Sequence, residues 1–176
     1  MAQAITMAFS PIITRLYGPE AFGMLGTFLA LVAMVTPIAA LSYPVAIVLP
    51  KEDGEAKGIA RLSMYIAFIM AAVVLVLILI GGERLINALQ VNDISHFILL
   101  IPLVMVFGVW LQIKQQWAIR KQLFNLKAKV AVLQAFIVSG LKSLIGLFAA
   151  FGSILILVAT LGKVLHALML NYRIRK

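Results

Sequence analysis

Apolar residues in this chain gather into long runs, and polar residues gather between them. The runs predict helices with apolar spans at about 1–13, 21–49, 62–80, 97–113, 130–149 and 154–170. A helix rises 1.5 Å per residue, so about 20 residues cross the ~30 Å hydrocarbon layer of a bilayer. The first run, Met1 to Ile13, covers only about 20 Å on that scale and reads as cut short at its start. Gly18-Pro19 is the turn signal that separates it from the second run. Pro37 and Pro44 fall inside the second span and predict helix kinks there. Gly23, Thr27, Ala30 and Pro37 lie near one face of that span, which suits close helix packing.

The polar stretches are as ordered as the apolar ones. A charged loop at 50–61 holds Lys51, Glu52, Asp53, Glu55, Lys57 and Arg61. A second at 81–96 holds Glu83, Arg84, Asn92 and Asp93. A third at 114–129 holds Lys114, Arg120, Lys121, Lys127 and Lys129, with Trp110 and Trp117 as interfacial anchors at its start. A tight turn at 150–153 and a basic tail at 171–176 complete the pattern.

Composition turns this pattern into a fold class. Of 176 residues, 64% are hydrophobic, and the mean hydropathy is +1.10. A soluble domain is closer to half apolar, and a chain this small has no core large enough to hide the excess. The expectation is an all-α, polytopic transmembrane helix bundle of about six helices. No basic region precedes the first apolar stretch, so the N-terminus does not read as a signal peptide.

The net charge of +9 invites a nucleic-acid reading, and the placement of the charges argues against it. Lysine and arginine number three in the 50–61 loop, five in the 114–129 loop and three in the tail, which makes eleven at one set of ends. Only Arg15 and Arg84 occupy the opposite set. Under the positive-inside rule, both termini and both basic loops face the cytoplasm.

The same inventory narrows the chemistry. There are no cysteines, hence no disulfide and no thiolate nucleophile. All six carboxylates, Glu20, Glu52, Asp53, Glu55, Glu83 and Asp93, lie outside the spans. No paired acids, metal-ligand cluster, glycine-rich phosphate loop or nucleophile elbow is present, so the expectation is no enzyme, no metal and no cofactor. A proton-driven pump would want a carboxylate within a span, and none lies there.

Two cations do lie within spans. Lys142 sits well inside the fifth span, close to mid-bilayer. An ammonium at that depth is costly unless it faces protein or water. Ala135, Ser139, Gly146 and Ala149 share its face at 100° per residue. It reads either as a cation lining a path for an anionic substrate or as a snorkelling, purely structural lysine. Lys163 lies in the sixth span on one face with Thr160 and His166, and the same two readings apply. His166 reads as structural. Arg15 ends the first span, either as an interfacial arginine or as a contact for a negative group at the outer mouth.

Two segments carry a resemblance. Residues 10–23, Ser-Pro-Ile-Ile-Thr-Arg-Leu-Tyr-Gly-Pro-Glu-Ala-Phe-Gly, resemble the segment joining the first two helices of O-antigen and polysaccharide flippases. Residues 43–53, Tyr-Pro-Val-Ala-Ile-Val-Leu-Pro-Lys-Glu-Asp, resemble the segment closing their second helix, with Pro44 where that family has glutamate. The family belongs to the multidrug/oligosaccharidyl-lipid/polysaccharide exporter superfamily. The resemblance implies one half of a two-bundle transporter in a bacterial inner membrane. The implied substrate is an undecaprenyl-diphosphate-linked oligosaccharide, with membrane lipids as further partners. It also implies an anionic diphosphate near Lys142, Lys163 and Arg15. Alternating access needs two bundles, so the second would come from a missing C-terminal half or from self-association. The competing expectations are a multidrug exporter of the same superfamily and a non-transporting membrane scaffold or remnant.

Overall fold

The structure, a computed structural model, describes residues 2–89, 94–148 and 151–175. The sequence-based expectations at Asn92, Asp93, Ala149 and Lys176 lie outside the described residues. Of Glu83, Arg84, Arg173 and Arg175 only the backbone is described.

The described chain is helical: α1 (Ala2–Leu16), α2 (Pro19–Ala39), a 3₁₀ helix (Tyr43–Val48), α3 (Asp53–Leu89), α4 (Ser95–Ile98), α5 (Leu100–Arg120), α6 (Phe124–Phe148) and α7 (Gly152–Arg175). Four of these helices, α2, α3, α6 and α7, are long and apolar enough to cross a membrane. The other two long elements fall short for different reasons. Helix α1 has 15 residues. Helix α5 has 21 but carries Gln112, Lys114, Gln115 and Gln116 in its second half.

Element boundaries differ from those that hydropathy suggests. The 50–61 stretch is mostly helix, because α3 begins at Asp53 and runs 37 residues. Asp53 and Glu55 occupy its first turn, where carboxylates suit the positive end of the helix dipole. Lys57 and Arg61 carry the charge on into the next two turns, and the strongly apolar part of the helix follows Arg61. The 114–129 stretch contracts to residues 121–123. There Gln122 takes a left-handed φ of 54°, and the amides of Lys121 and Gln122 close α5 on the Trp117 and Ile119 carbonyls. Glutamine, lysine and arginine are good helix formers, so polarity marks where lipid ends, not where a helix ends.

The 21–49 span is interrupted. Helix α2 ends at Ala39, and Leu41 and Ser42 turn left-handed at φ 48° and 60°. Pro37 stands two residues before that end. Pro44 follows the turn in the first positions of the 3₁₀ helix, where a missing N–H leaves no bond unmade.

The helices form two compact units. One comprises Met1–Gly26 and Leu123–Lys176. In it α1 runs alongside α6 in the same direction, with Phe9 edge-on to Phe136 at 6.0 Å between centroids and Tyr17 a further two turns along. Helix α7 runs back against α6, placing Gly162 beside Val138 and Gln134, and its start packs on α2 at Ala21 and Met24.

The second unit is Thr27–Gln122. Here α5 is the buried element, with Ile101, Val104, Met105, Val109 and Ile113 inside. Helix α3 is built inside-out relative to a soluble protein. Its buried positions are the small residues Ala56, Ser63, Ala67 and Ala71, while Tyr65, Ile69, Val76, Leu79 and Ile80 face outward. Small residues let helix backbones approach closely, and large aliphatic side chains held outside need lipid rather than water around them.

Candidate functional site

The predicted face of Lys142 is an inward-facing one. Ala135, Ser139 and Gly146 are buried, and Lys142 is half-buried. Ser143 donates its hydroxyl to the Ser139 carbonyl at 3.0 Å, so that hydroxyl is satisfied within the helix. The lysine's own turn is held from outside the helix. Tyr17, with no exposed surface, donates its hydroxyl to the Lys142 carbonyl at 3.1 Å. Its ring lies so close to Gly146 that a β-carbon there would come within 2.7 Å of Tyr17 Cε2. Tyr17 reaches this place because α1 ends on the bond from the Tyr17 amide to the Ile13 carbonyl, and Gly18-Pro19 turns the chain into α2.

The other predicted cations are not drawn into the same contact. Lys163 is half-buried on α7. Gly162 lies opposite Gln134 and Val138, which puts Lys163 nearer the Lys129 end of α6 than Lys142 is. Thr160, on the same face, bonds the Ile156 carbonyl at 2.9 Å. His166 presents a buried Nε2 that finds no hydrogen-bond partner among the described residues. Arg15 is exposed at the end of α1. Among the described residues, none of Arg15, Lys142 and Lys163 has an ion-pair partner. A groove of about 770 Å³ lies between the starts of α1 and α6, lined by Gln3, Ile5, Lys129, Leu133 and Phe136, and Lys142 is not part of it.

The second unit holds a polar cluster that hydropathy did not single out. Arg120, the last residue of α5, has a side chain only 9% exposed. Its Nε donates to Asp53 Oδ1 at 3.0 Å. Its Nη1 donates to the carbonyls of Ile47 and Pro50, and its Nη2 to that of Lys51 at 3.2 Å. The guanidinium also lies 5.9 Å from the ring centre of Trp117, one turn back. Lys121 Nζ reaches Asp53 Oδ2 at 2.7 Å. One arginine thus gathers the carbonyls at the end of the 3₁₀ helix and the carboxylate that starts α3. Its charge was legible in the sequence, but its five planar donors needed distant segments to converge.

Lys121 first, and Arg120 second, hold the Asp53 carboxyl below the usual carboxylate range. A depressed value in the folded state means the contact stabilises at neutral pH and is lost as pH falls through that lowered value. The expected result is that Asp53→Asn lowers the thermal midpoint at neutral pH, with the two curves converging in acid. Parallel curves across the whole pH range would remove Asp53 from the stabilising cluster.

Among the described residues, no three of His, Asp and Glu come together as a metal site. Compared with protein-family models, with curated proteins and with solved structures, the chain gives no match.

Proposed function

We propose that the chain takes part in flipping a lipid-linked, diphosphate-bearing oligosaccharide across a bacterial inner membrane, as one helix bundle of a two-bundle transporter. The observation that carries this reading is Lys142. It is a half-buried cation on a lipid-crossing helix, has no counter-ion among the described residues, and stands on a face of Ala135, Ser139 and Gly146. An ammonium in such a place needs an anion or water, and a diphosphate moving past it would supply the anion. The resembling segments add support. The tyrosine of the first holds the Lys142 turn, and the aspartate of the second pairs with Arg120 and Lys121.

In this reading α1 and α5 complete a set of six spans. Helix α5 is as long as α2, and the polar residues of its second half, Gln112, Lys114, Gln115 and Gln116, are each partly covered. Within the second unit, Arg120 and Lys121 pair with Asp53, which sets these two cations at the same end as Lys51, as residues on one side of a membrane would be. Both termini are then cytoplasmic, and the second bundle comes from further chain or from a second copy.

The test is export of surface polysaccharide by a host in which the chain is deleted and restored. Restoration should rescue export. Lys142→Ala at matched membrane level should lose about tenfold or more, the value of one charge-assisted contact, and Lys142→Arg should retain most of it. Full export by Lys142→Ala would take Lys142 out of the mechanism. Unchanged polysaccharide on deletion would leave a scaffold or remnant as the better account.

A further inference from the structure

We infer that Tyr17 is the positioning residue of the Lys142 site: its ring and hydroxyl hold the α6 backbone at Lys142 and so set where that ammonium points. The inference rests on the transport reading for its meaning, but not for its test.

Within a helix, the Lys142 carbonyl is the natural acceptor for the amide of Gly146, one turn on. The Tyr17 hydroxyl brings a second donor to that same oxygen at 3.1 Å. Such double use draws a carbonyl outward and bends the turn it belongs to. Gly146 is the residue that makes the approach possible, because the Tyr17 ring fills the volume its β-carbon would occupy. Tyr17 has no room to swing away, being fully buried. Ring and hydroxyl therefore grip both ends of a single turn, residues 142 to 146. The lysine side chain leaves the helix from the gripped end.

The grip also ties Lys142 to the start of the chain. Tyr17 is the first residue after α1 in the short connection to α2, two residues after Arg15. Any movement of α1 then carries the Lys142 turn with it. A carrier that must present a cation to a diphosphate in one state and withdraw it in another would place such a link there.

The experiment uses the absence of cysteine in this chain. Lys142→Cys gives a single thiol at the gripped turn, and Lys163→Cys gives a control thiol on α7. Each is modified with a charged, membrane-impermeant methanethiosulfonate in the full chain reconstituted in lipid. Tyr17→Phe keeps the ring and removes only the hydroxyl. It should change the modification rate at residue 142 by about fivefold, the equivalent of one net hydrogen bond, and leave residue 163 unchanged. Gly146→Ala, which displaces the ring, should change residue 142 in the same direction, and the two substitutions together should do no more than the larger one.

An unchanged rate at residue 142, or equal changes at 142 and 163, would overturn the inference, because general loosening moves both thiols. Lys142→Ala export decides the transport reading separately. A Tyr17 effect on labelling combined with full Lys142→Ala export would sink the transport reading alone.

Discussion

Arg120→Ala should sharply lower the thermal midpoint of the purified chain and release the segment from Ile47 to Asp53. The reason is the number of groups that depend on one guanidinium. Three backbone carbonyls, those of Ile47, Pro50 and Lys51, accept from it, and the Asp53 carboxylate accepts from its Nε. Removing the donor takes a partner from each of these acceptors, two of them in part-buried bonds. The carbonyl bonds alone set the expected loss at roughly 2–4 kcal/mol.

Arg120→Lys should recover little. A lysine presents one compact ammonium, and the four acceptors are spread around a planar fork. Hydrogen exchange at the amides of 47–53 is the local readout and should rise well above that of α5 in both variants. A midpoint for Arg120→Ala equal to that of the unaltered chain would mean the cluster forms without stabilising anything. The Asp53 side of the network should matter less, because that carboxylate is half exposed and its pairing is screened.

Gly146→Leu should undo the docking of α1 on α6. A β-carbon at 146 already lands 2.7 Å from Tyr17 Cε2 and 3.0 Å from Cζ, so a leucine must drive the ring out of its seat. Overpacking of this kind costs about 1–3 kcal/mol, and the bond from Tyr17 to the Lys142 carbonyl is lost besides. Two other glycines give the controls. Gly140 has nothing within 4 Å of a built β-carbon, and Gly140→Ala should be neutral or slightly stabilising because alanine is the better helix former. Gly162→Ala should fall between, since its β-carbon meets Val138 Cγ2 at 3.0 Å and a side-chain methyl can give way. Equal midpoints for the 146 and 140 variants would show that the Tyr17 seat carries no packing energy.

Arg120 and Tyr17 stand very differently in the sequence and in the fold. Along the sequence Arg120 is one of five positive charges on a stretch expected to be a cytoplasmic loop. In the fold it is the last residue of a helix, nearly buried, and occupied by backbone oxygens. A one-dimensional reading sees a charge and its side of the membrane. It does not see acceptors in a distant segment of the chain.

Tyr17 was visible only as a letter within a resembling segment, flanked by Leu16 and Gly18. Its neighbour Lys142 could be singled out as a cation on a small, polar face, because 100° periodicity needs no partner to be read. The weak signal for Tyr17 was the glycine at 146, a gap on the same face as the lysine. A gap implies a filler, but nothing local says which residue fills it.

The extent of the helices divides along the same line. The four helices long and apolar enough to cross a membrane were legible because a bilayer demands a run of apolar residues of known length. Their ends were not, since Lys, Arg, Glu and Gln extend a helix into water as readily as a loop would. That is why 114–129 reads as a loop and folds as two helices around Gln122. The inside-out character of α3 was present in the spacing of Ala56, Ser63, Ala67 and Ala71, which stand seven, four and four apart. Strong hydropathy over Val73 to Ile80 marks the outward face, while the packing face is the quiet one.

Hydropathy and the placement of lysine and arginine were enough to dictate an α-helical chain suited to lipid and the inward face of α6, but not that of α2, where Gly23, Ala30 and Pro37 stand exposed and Ala21, Leu25, Phe28 and Val32 are buried. They act residue by residue through the solvent each position prefers, and that preference is written locally. The seat of Tyr17 against Gly146 and the capture of three carbonyls by Arg120 arose only on folding. Each needs surfaces from separated segments to meet within a fraction of an ångström, and short-range packing and hydrogen-bond geometry, unlike solvent preference, belong to no single stretch of chain.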